Sequence, residues 1–122
     1  KIMKSAYDLD SLIMQHAEDL DLCKDGSVND GIIATKLGLQ GISSLSEKII
    51  IERDLSLLED FNCRYHISQI SSLKSLDVIK RKKENVEFTC GVSINNLSFG
   101  ISLKVFCRSI LFLKVIIPLA EK

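Results

Sequence analysis

Arg64-Tyr65-His66-Ile67-Ser68-Gln69-Ile70, running into Ser71-Ser72-Leu73, is the stretch on which the fold turns. The first seven residues read as a strand with Tyr65, Ile67 and Gln69 on one face and His66 and Ser68 on the other, because side chains alternate with period two. Ser71 or Ser72 then supplies a cap for a helix carrying Leu73, Leu76 and Ile79. Lys80-Arg81-Lys82-Lys83 closes that helix as a solvated last turn, where cations complement the dipole. Beyond it Val86, Phe88 and Cys90 alternate as a further strand. On the other side Ser44-Leu45-Ser46-Glu47 fits a capping box, with Ser44 as cap and Glu47 reaching back. The helix it opens carries Ile51, Leu55 and Leu58, with Ile50, Leu57 and Phe61 widening the stripe and Asn62 as its stop. Ser11 to His16 reads as a short buried strand with Leu12, Met14 and His16 on one face, preceded by the end of a helix up to about Asp8. Strand, helix, strand, helix, strand is the order of an α/β fold with a parallel sheet and right-handed crossovers.

Two segments fit that alternation less directly. Asp19 to Ser43 holds Gly26, Gly31, Gly38 and Gly41 and few periodic apolar positions, so it reads as a long functional excursion. The glycines form neither GxGxxG nor a P-loop and serve loop geometry. After Leu97, Ile101, Leu103 and Val105 alternate, and Ile110 to Ile117 is almost continuously apolar and β-branched. One or two further strands ending at Pro118 are expected there.

Composition narrows the function classes. The 122 residues suit one domain, and 46% hydrophobic content is enough for a core. Sixteen basic and sixteen acidic side chains give zero net charge, so no electrostatic reason exists to expect nucleic acid or an anionic membrane as partner. The apolar tail is broken by Lys104, Arg108 and Lys114, too often for a membrane span. Cys23, Cys63, Cys90 and Cys107 have no zinc-ribbon spacing and read as reduced thiols of a cytoplasmic protein. Cys90 lies near a strand end, but no histidine is placed to activate it as a nucleophile. The chain opens on Lys1 without a signal-peptide pattern, and the expectation is a segment of a longer protein or a truncated gene product.

His16 is followed at once by Ala17-Glu18-Asp19 at the carboxyl end of its strand, where α/β enzymes place their sites. Glu18 and Asp19 read as loop caps in preference to an acid/base pair.

The blocks His16-Ala17-Glu18-Asp19, Asn29-Asp30-Gly31, Leu37-Gly38-Leu39-Gln40-Gly41-Ile42, Ser46-Glu47, Arg53-Asp54-Leu55 and Tyr65-His66-Ile67-Ser68-Gln69-Ile70-Ser71 together resemble the middle of a dihydroorotase, in the cyclic amidohydrolase superfamily. Weaker similarity continues through Thr89-Cys90-Gly91-Val92-Ser93. The whole chain, 1–122, then forms one segment, with 1–98 following the family and 99–122 a divergent tail. The resemblance implies a partial (β/α)₈ TIM-type barrel, zinc as cofactor, and interconversion of dihydroorotate and carbamoyl aspartate in pyrimidine synthesis. It implies that a metal polarises the amide carbonyl and activates water while a carboxylate moves the proton.

Carried over residue by residue, the resemblance places His16 at the fifth-strand metal-ligand position. Gln69 stands where the sixth strand usually supplies a histidine, and a neutral amide is a poor zinc ligand beside imidazole. His66, on the opposite face by period two, offers no substitute. Asn95-Asn96 replace a His-His pair, Gly91 sits where an acid is common, and only Pro118 and Leu119 remain of a substrate-contacting motif near Ile116 to Ala120. A full barrel takes about 250 residues. This chain alone is therefore expected to be inactive. The substitution at Gln69 resembles dihydroorotase-like homologues that lack catalysis and assemble with aspartate transcarbamoylase. Without the resemblance, the reading is a small α/β binding module.

Overall fold

In the computed structural model, residues 1–93 are described. The expected tail strands, Asn95-Asn96, Cys107 and the Pro118-Leu119 motif lie outside them.

Three parallel strands form the main sheet: β1 (Ile13–His16), β4 (Tyr65–Ser68) and β5 (Thr89–Cys90), in the order β1-β4-β5. Ile13 pairs with Tyr65 and His16 with Ser68, while His66 pairs with Thr89. The alternation therefore gives parallel pairing as expected. Two long helices lie between successive strands, α4 (Leu45–Phe61) before β4 and α5 (Leu73–Lys82) after it. Both contribute to one core cluster with Tyr65 and Ile67, so both cover the same face of the sheet. Successive parallel strands side by side with their helices on one face make a singly wound sheet.

The core follows from helical periodicity. Ile51, Leu55 and Leu58 of α4, Val78 and Ile79 of α5, Ile67 of β4 and Ile70 just after it are all at most 1% exposed. Leu57, expected to widen the apolar stripe, is instead 40% exposed. It stands only one residue from Leu58 but about 100° round the helix, on the outer face. Asn62 ends α4 in the left-handed conformation with φ 40°, as expected of a stop. Ser72 is the cap of α5, its side chain accepting from the Lys74 amide. The basic run is less free than a solvated turn. Arg81 reaches Glu52 at 3.2 Å and Lys82 reaches Glu59 at 2.9 Å, so two of its cations fasten α5 to α4.

One core position is chemically mismatched. Ser75 is fully buried in α5, and its Oγ has no hydrogen-bond partner among the described residues. Ser75→Ala removes that unsatisfied hydroxyl and improves helix propensity, so it is expected to raise stability by about 1 kcal/mol. A higher urea midpoint with an unchanged slope is the expected result, and a lower midpoint would reverse the argument.

The excursion from Asp19 to Ser43 is more ordered than its composition indicates. It contains α2 (Leu20–Cys23), β2 (Val28–Asn29), α3 (Ile32–Leu37) and β3 (Gly41–Ile42), and β2 pairs with β3 in parallel. Gly38 ends α3 at φ 65°, a left-handed geometry that suits glycine. At Gly41 a Cβ would sit 2.6 Å from Asp30 Cα, so only glycine lets these two short strands close together. The chain opens with α1 (Ile2–Asp8), as the sequence indicates.

β1 is not the buried strand expected. Met14 is 66% exposed and Leu12 47%, because no described element covers the sheet face opposite the helices. The expected third strand is also shorter: pairing is confined to Thr89 and Cys90, with Val86 buried before it.

Candidate functional site

Parallel pairing makes registered residues share a face. His16 and Ser68 are registered, and Met14 with His66, so His16, His66 and Ser68 all stand on the face away from the helices. His16 is exposed at the carboxyl end of β1. It opens onto a cavity of about 360 Å³ whose walls include Glu18, Asn29, Asp30, Glu47 and Gln69. This cavity lies at the carboxyl ends of β1 and β4, where parallel α/β folds gather functional groups.

Gln69 does not continue the alternation of β4. The strand ends at Ser68, and Gln69 takes a left-handed backbone with φ 55°. A non-glycine residue in that region is uncommon and costs of order 1 kcal/mol, so the surroundings must hold it. They do so from both sides. The Gly91 amide donates to the Ile67 carbonyl, and the Ile70 amide donates to the Gly91 carbonyl, each at 2.9 Å. The expectation that His66 faces away from Gln69 is thereby corrected. Broken alternation lets both line a second cavity of about 330 Å³ together with Ser68 and Gly91. His66 Nδ1 is hydrogen-bonded to Thr89 Oγ1 at 2.7 Å, which fixes the ring across β4 and β5.

Glu47 departs most from its expected role. Ser44 occupies the cap position of α4 without a side-chain cap hydrogen bond, and Glu47 does not reach back to it. Its buried carboxylate accepts instead from the Ser71 amide at 2.9 Å, the Ser71 hydroxyl at 2.6 Å and the Ser72 amide at 3.1 Å. Three donors across the fold outcompete one local amide. Asp19 behaves as a loop cap, its Oδ1 accepting from the Asp21 and Leu22 amides at 3.1 Å. The Asp19 amide in turn donates to the Ser46 carbonyl at 3.3 Å.

A second buried polar group stands further along α4. Tyr65 Oη donates to Asp54 Oδ2 at 2.6 Å, and Arg53 engages Asp54 Oδ1 through Nε at 2.8 Å and Nη2 at 2.7 Å. Burial first, then the bond to Asp54, pushes the Tyr65 phenol far above its ordinary range. Burial likewise raises the Cys90 thiol, which keeps it protonated and unsuited to nucleophilic attack. Glu47 and Asp54 both lie on the stripe of Ile50, Ile51, Leu55 and Leu58. Acids at apolar-face spacing were the available signal for both.

The metal that the resemblance implies does not fit the donors present. No three His, Cys, Asp or Glu side chains gather closely enough to hold an ion among the described residues. The cavity of about 360 Å³ offers the His16 imidazole, the carboxylates of Glu18, Asp30 and Glu47 and the neutral amide of Gln69, and Glu47 is already engaged by Ser71 and Ser72. Also among the described residues, no helix is long and apolar enough to cross a membrane.

A family model described as dihydro-orotase-like matches residues 1–75. The chain is similar to the dihydroorotase of Ehrlichia chaffeensis, 46% identical over 87 residues, which are 70% of this chain and 20% of that protein. It is 47% identical over 83 residues to the dihydroorotase of Wolbachia sp. subsp. Drosophila simulans, covering 66% of this chain and 19% of the relative. Against the dihydroorotase of Listeria monocytogenes serotype 4a it is 41% identical over 96 residues, 78% of this chain and 22% of that one. The chain thus spans about a fifth of the length of these relatives.

Proposed function

Since the chain belongs to the dihydro-orotase-like family, we propose that it is a segment of a (β/α)₈ cyclic amidohydrolase barrel. The complete protein interconverts dihydroorotate and carbamoyl aspartate in cytoplasmic pyrimidine synthesis, with zinc as its metal. The observation that carries this reading is the meeting of His16 and Gln69 at one cavity, at the carboxyl ends of adjacent parallel strands. Those are the two positions at which the resemblance implies metal ligands. The singly wound order of β1, β4 and β5 supports the barrel, and the similarity of the chain to dihydroorotases supports the substrate.

On this reading the 122-residue chain does not turn over by itself. Among the described residues no three His, Cys, Asp or Glu side chains converge to supply the three protein ligands of a catalytic zinc site. Incubating the purified chain with dihydroorotate and zinc is expected to give no carbamoyl aspartate and no stoichiometric metal. Turnover with one bound zinc would overturn this. Gln69→His restores an imidazole at the ligand position and is expected to raise zinc affinity by at least about tenfold, since even groups that only support a ligand change affinity by ~10–100-fold. Unchanged affinity in a competition titration would remove Gln69 from the ligand position.

Gln69 also favours a second reading. A homologue without catalysis, or a gene remnant, retains the scaffold as a structural partner of aspartate transcarbamoylase. Co-elution with that enzyme on a sizing column distinguishes the two, and separate elution at high concentration rejects the partnership.

A further inference from the structure

The cavity has two walls that belong to different parts of the chain. One is the carboxyl end of β1 with His16 and Glu18, and the other is the turn of Gln69, Ser71 and Ser72 after β4. The first turn of α4 touches both. Ser46 accepts the Asp19 amide on the β1 side, and Glu47 takes the Ser71 and Ser72 amides on the β4 side. Ser72 adds a weaker bond to the Ser44 carbonyl at 3.5 Å. The α4 start is therefore the common anchor of both walls.

Within that anchor Glu47 is the charged contact, and it is buried. Its carboxylate accepts the amides of Ser71 and Ser72 immediately before α5, at the end of the helix where the dipole favours an anion. The turn it holds contains the left-handed Gln69, two residues before the first clamped amide. On the far side Gly91 fixes Ile67 and Ile70. Gln69 is thus strained between two fixed points, and only one of them is a side chain.

We infer that Glu47 is a positioning residue, which holds the Gln69 turn in its left-handed conformation and so sets the spacing of Gln69 from His16 across the cavity. It touches no substrate and acts through the backbone of Ser71 and Ser72. The inference rests on the proposed function only in taking this cavity as the binding site. Its readout is backbone conformation, so its failure leaves the family reading intact and the reverse also holds.

The test is nuclear magnetic resonance on the full 122-residue chain. Glu47→Ala is expected to speed amide exchange at Ser71 and Ser72 by about tenfold or more, as loss of a charged acceptor requires. The carbon shifts of Gln69 should leave left-handed values, while Leu55 and Ile79 keep their protection. Sodium formate, an anion of the deleted group's chemistry, should restore the Gln69 shifts in the alanine variant and leave the native chain unchanged. A packing role alone would not give that rescue. Gln69 shifts that stay left-handed in Glu47→Ala would overturn the inference, as would recovery of the amides by formate without recovery of Gln69. Should Glu47→Ala fail to fold, Ser71→Ala removes only the hydroxyl donor. It is then expected to move the Gln69 shifts part of the way, and unmoved shifts there count against the clamp equally.

Discussion

Asp54→Ala is expected to destabilise the chain by about 2–3 kcal/mol, the cost of losing a charged acceptor and leaving a buried hydroxyl unpaired. Tyr65 is 3% exposed and has no water to turn to once Asp54 is gone. Arg53 suffers less, because its side chain is 56% exposed and can be hydrated. Tyr65→Phe should cost less, about 1–2 kcal/mol, since Asp54 keeps both Arg53 contacts. Urea unfolding of the two variants checks the order, and equal losses below about 1 kcal/mol would show that water reaches this cluster. The same pair sets an alkaline limit. The folded chain holds the Tyr65 proton more firmly than the unfolded chain, whose phenol ionises near its ordinary value of 10.0. Its stabilising effect is complete below that pH and is lost as pH rises above it, at up to about 1.4 kcal/mol per pH unit. Burial raises Cys63 and Cys90 from 9.0 in the same sense, so part of the decline begins earlier and survives in Tyr65→Phe.

Leu55→Ala is the second large effect, expected at about 3 kcal/mol within the 2–5 range for buried leucines. Leu55 is fully buried in the core cluster that also holds Ile51, Ile67 and Ile79, and close-packed interiors relax only partly into the space a truncation leaves. Leu57→Ala, two residues along the same helix, should stay within about 0.5 kcal/mol because its side chain already faces water. Thermal or urea unfolding of the pair reads the difference directly. Similar losses in both would mean that Leu57 is covered in solution, which would relocate the packing surface of α4.

Much of the architecture was legible in the chain because periodicity and punctuation agree. The stripe through Ile51, Leu55 and Leu58, the stop at Asn62, the cap at Ser72 and the parallel order all follow from local pattern. Local pattern failed where a distant group competes for the same atoms. Ser44 and Glu47 spell a capping box, yet Glu47 is taken by Ser71 and Ser72, which lie 24 and 25 residues away. Period two failed at Gln69 because a turn held from outside ended the strand two residues sooner, at Ser68, which brought His66 and Gln69 onto one cavity. In the excursion, pairs of two-residue strands are too short to show alternation at all. The place of His16 at the carboxyl end of a strand was legible. Asp54 stood out only as an acid on the apolar stripe, and its partner did not, since nothing local to Arg53-Asp54 announces a hydroxyl from Tyr65.

The left-handed turn at Gln69 bears on how such a chain changes over generations. The bonds that shape it end on the backbone of Ile67, Ile70, Ser71 and Ser72, and on the carboxylate of Glu47. Folding and chemistry are therefore answerable to different atoms at this position. On the proposed reading, a substitution at residue 69 that accepts the left-handed backbone changes the ligand position while these bonds stay in place, so the chemistry can be lost or rewritten without first passing through an unfolded ancestor.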